Sequence, residues 1–171
     1  MQVRAKSGID DATLVAIVNR VRAAGGIAIV NDDVRLARLA DGVHLGQEDA
    51  ARIDMRALRD ALPDAVIGLS CGTPAEARAA DPALVDYVGA GPIFDTPSKG
   101  DAGPPIGISG VRAVADATAL PCAAIGGISL DTIARAREST AGMAAVMGAL
   151  IGDDPEAVAR ELIARWNGAA R

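Results

Sequence analysis

Short apolar or β-branched segments alternate along this chain with segments of helical period, and polar clusters close the apolar ones. That alternation is the signature of a parallel α/β fold, because each strand must be followed by a crossover helix before the next can lie beside it. The closing clusters are Gln2-Val3-Arg4-Ala5-Lys6, Asn31-Asp32-Asp33, His44-Leu45-Gly46-Gln47-Glu48-Asp49, Ser70, Thr96-Pro97-Ser98-Lys99 and Gly126-Gly127-Ile128. In a parallel sheet all of them share one mouth, where α/β enzymes assemble their sites.

The pattern predicts strands over 2–5, 27–31, 42–45, 66–70, 84–89, 122–125 and 143–147. Leu14, Ile17, Val18 and Val21 keep the spacing of one helix face, which Ala24-Gly25-Gly26 ends. Met55, Leu58 and Leu62 mark a second helix, and 75–80 a short one. Val111, Val114 and Ala115 mark another with Ser109 as its N-cap, and Ser129 precedes Ile133 and Ala134 in the same way. Val158, Leu162 and Trp166, with Ile163 beside them, define the last, where Trp166 reads as a packing residue. The Gly- and Pro-rich stretch from Pro92 to Gly107 is too long for a minimal βα connection, and such loops often serve as active-site lids.

Seven strands are one unit short of a (β/α)8 barrel. The expected architecture is an α/β fold of TIM-barrel type, incomplete, with about seven parallel strands because a first β/α unit is missing ahead of Gln2. A start placed too late in the sequence is the other explanation. No linker or repeat divides the chain, so residues 1–171 are expected to form a single domain.

The formal net charge is -5 and aromatic residues make up 2%. Broad attraction to nucleic acid or anionic membrane is therefore not expected, and base-stacking platforms have almost no material. Cys71 and Cys122 show no CxxC pattern, and no secretory leader or membrane span is read, so a cytoplasmic protein is the simplest expectation. The sequence leaves the oligomeric state open, homo-oligomers included.

Asp32 and Asp49, read at the ends of successive strands, could share one hard cation such as Mg2+, with Asp33, Asp41 and Glu48 competing and helix capping as the alternative role. Gln2, Arg4 and Lys6 alternate onto one face of the first strand, where two inward-facing cations need anions, either acidic side chains or ligand phosphates, the alternative being an exposed edge strand with ordinary surface charges. Gly126-Gly127-Ile128-Ser129 and Met147-Gly148-Ala149 follow successive strands and suit a phosphate cradle. His44, the single histidine, reads as a hydrogen-bonded structural residue rather than a general base. One histidine excludes three-histidine metal chemistry.

Taken in order, these clusters, with Asp41-Gly42-Val43-His44-Leu45-Gly46-Gln47-Glu48-Asp49, Asp86-Tyr87-Val88-Gly89-Ala90-Gly91-Pro92-Ile93-Phe94 and Ile125-Gly126-Gly127-Ile128, resemble the thiamine phosphate synthase/TenI-like superfamily over nearly the whole chain. The resemblance implies a Mg2+-assisted transferase of thiamine biosynthesis that joins hydroxymethylpyrimidine diphosphate to a thiazole phosphate and releases pyrophosphate. Its partners would be small phosphorylated substrates, with neither nucleic acid nor membrane. Carried onto matching positions, Asp32 and Asp49 would hold Mg2+. Gln2, Arg4, Lys6, Asn31, Ser70 and Lys99 would bind the pyrimidine diphosphate, with Arg4, Lys6, Ser70 and Lys99 taking part in catalysis. Thr96, Pro97, Ser98, Gly127, Met147 and Gly148 would hold the thiazole phosphate. Ala5 stands where the family usually has an acid, Gly72 where a His is common and Gly148 where a Ser is common. The alternatives are a thiazole tautomerase of the TenI type, against which Asp32, Asp49, Lys99 and Pro92 speak, and a non-catalytic phosphate-binding remnant.

Overall fold

A computed structural model describes residues 1–5, 7–97 and 103–168. Lys6, Ser98 and Lys99, with the centre of the expected lid, lie outside the described residues. The chain groups into two compact units, Met1–Ser70 with Asp81–Asp86, and Cys71–Ala80 with Tyr87–Arg171.

The first unit holds β1 (Gln2–Val3), α1 (Asp11–Ala23), β2 (Ile29–Asn31), β3 (Gly42–Leu45), α2 (Gln47–Ala50), α3 (Met55–Ala61) and β4 (Val66–Ser70). Its four strands pair parallel in chain order, with Asn31 opposite His44 and His44 opposite Gly68. Because side chains alternate along a strand, this register sorts them onto two faces. Val30, Val43, Leu45, Ile67 and Leu69 share one face, and all are buried, as are Leu14 and Val18 of α1 and Leu58 of α3. Burying each such side chain contributes about 1.5–3 kcal/mol. Gln2, Asn31, His44 and Ser70 share the other face at the strand ends.

The second unit holds α4 (Pro74–Ala79), β5 (Tyr87–Ala90), α5 (Gly107–Asp116), β6 (Cys122–Ile125), α6 (Ile133–Arg137), β7 (Met143–Ala145) and α7 (Pro155–Trp166). Its three strands also pair parallel in order. Val88, Ala90, Ile93, Val111, Val114, Ala124, Ile133 and Ala136 form its buried core.

Helix starts follow local chemistry. Asp10 caps α1 by accepting from the Thr13 amide at 2.9 Å, and Asp54 caps α3 through the Arg56 and Ala57 amides. Thr73 and Glu76 form a capping box on α4, and Asp154 accepts from Ala157 at the start of α7. Gly25, at a φ of 76°, ends α1 as expected.

Two expected caps differ. Ser109 lies inside α5, which starts after Ile106 with no side-chain cap, and Thr132 rather than Ser129 is the residue flanking α6. Ser129 instead donates its amide to the Thr132 hydroxyl at 2.8 Å, closing a turn ahead of that helix. On α7, Leu162 is buried while Ile163 is 62% exposed. Several strands are shorter than the apolar runs: β1 stops at Val3, β5 starts at Tyr87 and β7 stops at Ala145. The 3-10 turn Gly148–Leu150 and the helical turn α2 carry residues that read as strand ends, and a further 3-10 turn spans Leu36–Leu39.

One device appears twice in the first unit. Asp41, immediately before β3, accepts from the Ala28 amide at 2.7 Å and pairs with Arg22 of α1 at 2.8 Å. Asp86, immediately before β5, accepts from the Ile67 amide and pairs with Arg59 of α3, both at 2.6 Å. Arg59 also donates to the carbonyls of Ala65 and Leu84. Each aspartate ties a helix to the strand layer where the strands begin.

Candidate active site

The polar face of the first unit ends in two hydrogen-bonded pairs side by side. Gln2 Nε2 donates to Asn31 Oδ1 at 2.8 Å, and His44 Nε2 lies 2.9 Å from Ser70 Oγ. The register explains why both pairs form: Gln2 sits opposite Ile29, one same-face position below Asn31, and His44 sits opposite Gly68, one below Ser70. The structure thus brings together Gln2, Asn31 and Ser70, with His44 among them. Arg4 is exposed beyond the end of β1 and lines, with Ala5, Asn31, Asp32 and Asp33, an open cavity of about 380 Å³.

At the end of β2 the chain turns sharply at Asp32, whose φ of 62° lies in the left-handed region that non-glycine residues seldom adopt. The Asp33 amide donates to the Asn31 carbonyl at 2.8 Å across this turn, while the Asp32 amide donates to the His44 carbonyl at 2.9 Å. Strained backbone of this kind is held only where its surroundings impose it, and it collects at functional sites. Here it aims the carboxylate at the neighbouring loop, where Asp32 Oδ1 accepts from the Gly46 amide at 3.2 Å and Oδ2 from the Asn31 side chain.

Asp49 reaches the same place by another route than the expected one. It is not at a strand end but in α2, the helical turn after Gly46. A side chain added at Gly46 would put its Cβ 3.3 Å from Asp49 Oδ2 and 3.9 Å from Asp32 Oδ1. Both carboxylates therefore flank a single point that glycine leaves open. Two carboxylates at one exposed mouth are the donor set that Mg2+ takes from proteins, the remaining positions going to water and phosphate oxygens.

Two of the three competing acids, Asp33 and Asp41, have other duties, while Glu48 lies exposed in α2. Asp33 accepts from the amides of Arg35 at 2.9 Å and Leu36 at 3.2 Å, closing the turn that leads into the 3-10 segment Leu36–Leu39. Burial alone would raise the Asp41 carboxyl, but the Ala28 amide and the Arg22 guanidinium outweigh it and hold it below the usual carboxylate range.

The second unit carries the remaining expected residues in loops that follow its strands. Thr96 and Pro97 lie in the loop after β5, Gly127 after β6, and Met147 and Gly148 after β7, with Met147 54% exposed. Gly126 and Gly127, at φ of 100° and 64°, are glycine for packing as well as conformation. A Cβ at Gly126 would lie 2.5 Å from Pro92 Cβ, and one at Gly127 would lie 2.5 Å from the Asp95 carbonyl oxygen. The loop after β5 rests on these glycines, fastened by amides of Ile93 and Phe94 to the carbonyls of Ile125 and Gly126. The cradle does not run straight into a helix, since Ser129 to Thr132 intervene before α6. Thr132 Oγ1 instead donates to the Gly127 carbonyl at 2.9 Å.

Sequence reasoning missed Gly46 and Gln47. Gly46 was visible only as a glycine among polar residues, and Gln47, whose side chain donates to the Ser70 carbonyl, carried no distinguishing spacing.

Residues 1–150 match the family model for thiamine monophosphate synthase. The chain belongs to the thiamine monophosphate synthase family. It is 47% identical over 169 residues to a thiamine-phosphate synthase of Methanoregula boonei, covering 95% of this chain and 77% of that one. It is 43% identical to a thiamine-phosphate synthase of Moorella thermoacetica, covering 90% and 75%. It is also 49% identical over 143 residues to the thiamine biosynthesis bifunctional protein ThiM/ThiE of Symbiobacterium thermophilum, of which it spans 29% while 81% of this chain is covered. Among solved structures it resembles the thiamine phosphate pyrophosphorylase of Pyrococcus furiosus, with a TM-score of 0.84 and 28% identity over 99% of this chain and 83% of that one. The family's fold is accordingly present as an α/β architecture of TIM-barrel type, with seven parallel strands among the described residues. Among the described residues no helix is long and apolar enough to cross a membrane.

Proposed function

We propose that this member of the thiamine monophosphate synthase family is a transferase of thiamine biosynthesis that condenses hydroxymethylpyrimidine diphosphate with a thiazole phosphate, releasing pyrophosphate. The observation that carries this reading is the approach of Asp32 and Asp49 to one point beside Gly46, next to the row Gln2, Asn31, His44 and Ser70.

In this reading the bond from the pyrimidine methylene carbon to the diphosphate oxygen breaks, its electron pair leaving with pyrophosphate. The thiazole ring nitrogen then supplies the pair for the new carbon–nitrogen bond, so no general base is needed. Mg2+, held by Asp32 and Asp49, would supply charge neutralisation for the departing group. Arg4, at the mouth of the cavity, would add a fixed positive charge, and Ser70 a hydroxyl donor; donors aimed where charge develops lower the barrier. Asn31 would carry two duties, orienting Asp32 through its amide while presenting its edge to the ligand. Lys6 and Lys99 are assigned to the same diphosphate through the family resemblance. The thiazole phosphate would fall to Thr96, Pro97, Ser98, Gly127, Met147 and Gly148, where the backbone amide of Gly127 is the group suited to a phosphate oxygen.

The test is incubation of the purified chain with both substrates at varied Mg2+. Magnesium-dependent release of pyrophosphate with formation of thiamine phosphate is the expected result. Binding of either substrate without turnover at any Mg2+ concentration would favour a non-catalytic phosphate-binding protein instead.

A further inference from the structure

We infer that His44 is a positioning residue that fixes the Ser70 hydroxyl as a hydrogen-bond donor toward a diphosphate; the inference rests on the diphosphate reading of this site. His44 Nε2 and Ser70 Oγ are 2.9 Å apart and both residues are half-buried. The imidazole can reach Ser70 because its register partner on β4 is Gly68, which has no side chain to block the diagonal path.

The proton count decides what this contact can do. A neutral imidazole carries one N–H and one lone pair, and a hydroxyl carries one proton with two lone pairs. If Nε2 held the lone pair, the Ser70 proton would be engaged by His44 and the hydroxyl could offer a ligand only acceptor oxygen. Diphosphate oxygens are themselves acceptors, so that arrangement would set oxygen against oxygen. If Nε2 carries the proton, Ser70 Oγ accepts from it and its own proton is left to point at the anion. Only this second arrangement matches the proposed ligand.

Other contacts hold the Ser70 main chain, and His44 is the side chain beside its hydroxyl, so orienting that hydroxyl falls to His44. The Ser70 carbonyl is held by the Gln47 side chain, and the residue ends β4. His44 also accepts the Asp32 amide on its own carbonyl at 2.9 Å. One residue thus supports a carboxylate turn through its main chain and an anion-binding hydroxyl through its ring.

Because the chain has a single histidine, its imidazole nitrogen spectrum reports one residue without ambiguity. The expected result in the wild-type chain is a proton on Nε2, retained when inorganic pyrophosphate and Mg2+ are added. Ser70→Ala should weaken pyrophosphate binding about tenfold and His44→Ala about equally, with the double variant no weaker than either single one. His44→Gln, which keeps an N–H donor, should recover much of the loss. A proton on Nδ1 with Nε2 bare overturns the inference, as does full affinity in His44→Ala beside a weakened Ser70→Ala. If Ser70→Ala and Asp49→Ala both bind pyrophosphate as the wild type does, the diphosphate reading has failed and the inference falls with it.

Discussion

Gly46 donates its amide to Asp32 Oδ1 at 3.2 Å while the place its missing Cβ would take lies 3.3 Å from Asp49 Oδ2, so a residue without a side chain holds one carboxylate and makes room for the other. The Gly46 φ is -71°, a conformation alanine adopts freely. Gly46→Ala is therefore expected to fold normally but to push Asp49 aside by a few tenths of an ångström. The Mg2+ concentration for half-maximal turnover should rise roughly tenfold while the melting temperature stays nearly constant. An unchanged Mg2+ dependence would remove Gly46 from this role.

Asp49→Ala and Asp33→Ala should separate metal binding from turn closure. The first is expected to cut turnover by at least about a hundredfold with little change in stability. The second removes the acceptor for the Arg35 and Leu36 amides and should cost about 1 kcal/mol in urea denaturation. Near-normal rates for Asp49→Ala at limiting Mg2+ would exclude it as a ligand.

Asp41 makes a prediction about acid stability. Its folded carboxyl is held below the ordinary carboxylate range, so its contribution is full above that range and is lost as pH falls through the lower folded value. Asp41→Asn is expected to cost about 1–3 kcal/mol at pH 6, because the Ala28 amide loses a charged acceptor and the exposed Arg22 loses its partner. The gap between variant and wild type should narrow at pH 3, and a gap independent of pH would assign the loss to packing.

Gly126→Ala is a control on the second unit. A Cβ 2.5 Å from Pro92 Cβ at a φ of 100° cannot be accommodated by a flexible side chain. A loss of roughly 3 kcal/mol or more, read by urea unfolding, is expected. Wild-type stability would mean that the loop after β5 is free to lift.

Cys71 and Cys122 are both buried, and burial pushes the Cys122 thiol up to about 11. A thiol reagent at pH 7 should label neither in the folded chain and both after denaturation. Fast labelling of native protein would show opening of the core on the timescale of the reaction.

The strand positions were legible because Val43, Leu45, Ile67 and Val88 sit in short apolar runs bounded by turn residues, and the structure keeps those runs as strands. Helix starts were less legible. Ser109 and Ser129 have the right chemistry for caps, yet the chain enters both helices elsewhere, since capping depends on the direction of the preceding loop. Asp32 and Asp49 were legible as a pair but not by position: Gln47-Glu48-Asp49 carries no apolar period that would reveal a helical turn. The contact of His44 with Ser70 was illegible because it depends on the register of β3 against β4, which residue types alone leave undetermined.

Asp41 and Asp86 fasten the sheet where its strands begin, at the opposite end from Asp32, Gly46 and Ser70. Alignment of the strands is thus decided away from the chemistry. Residues at the working end can therefore be exchanged for others without touching these two ties, so a change of ligand and a change of strand alignment draw on different parts of the first unit.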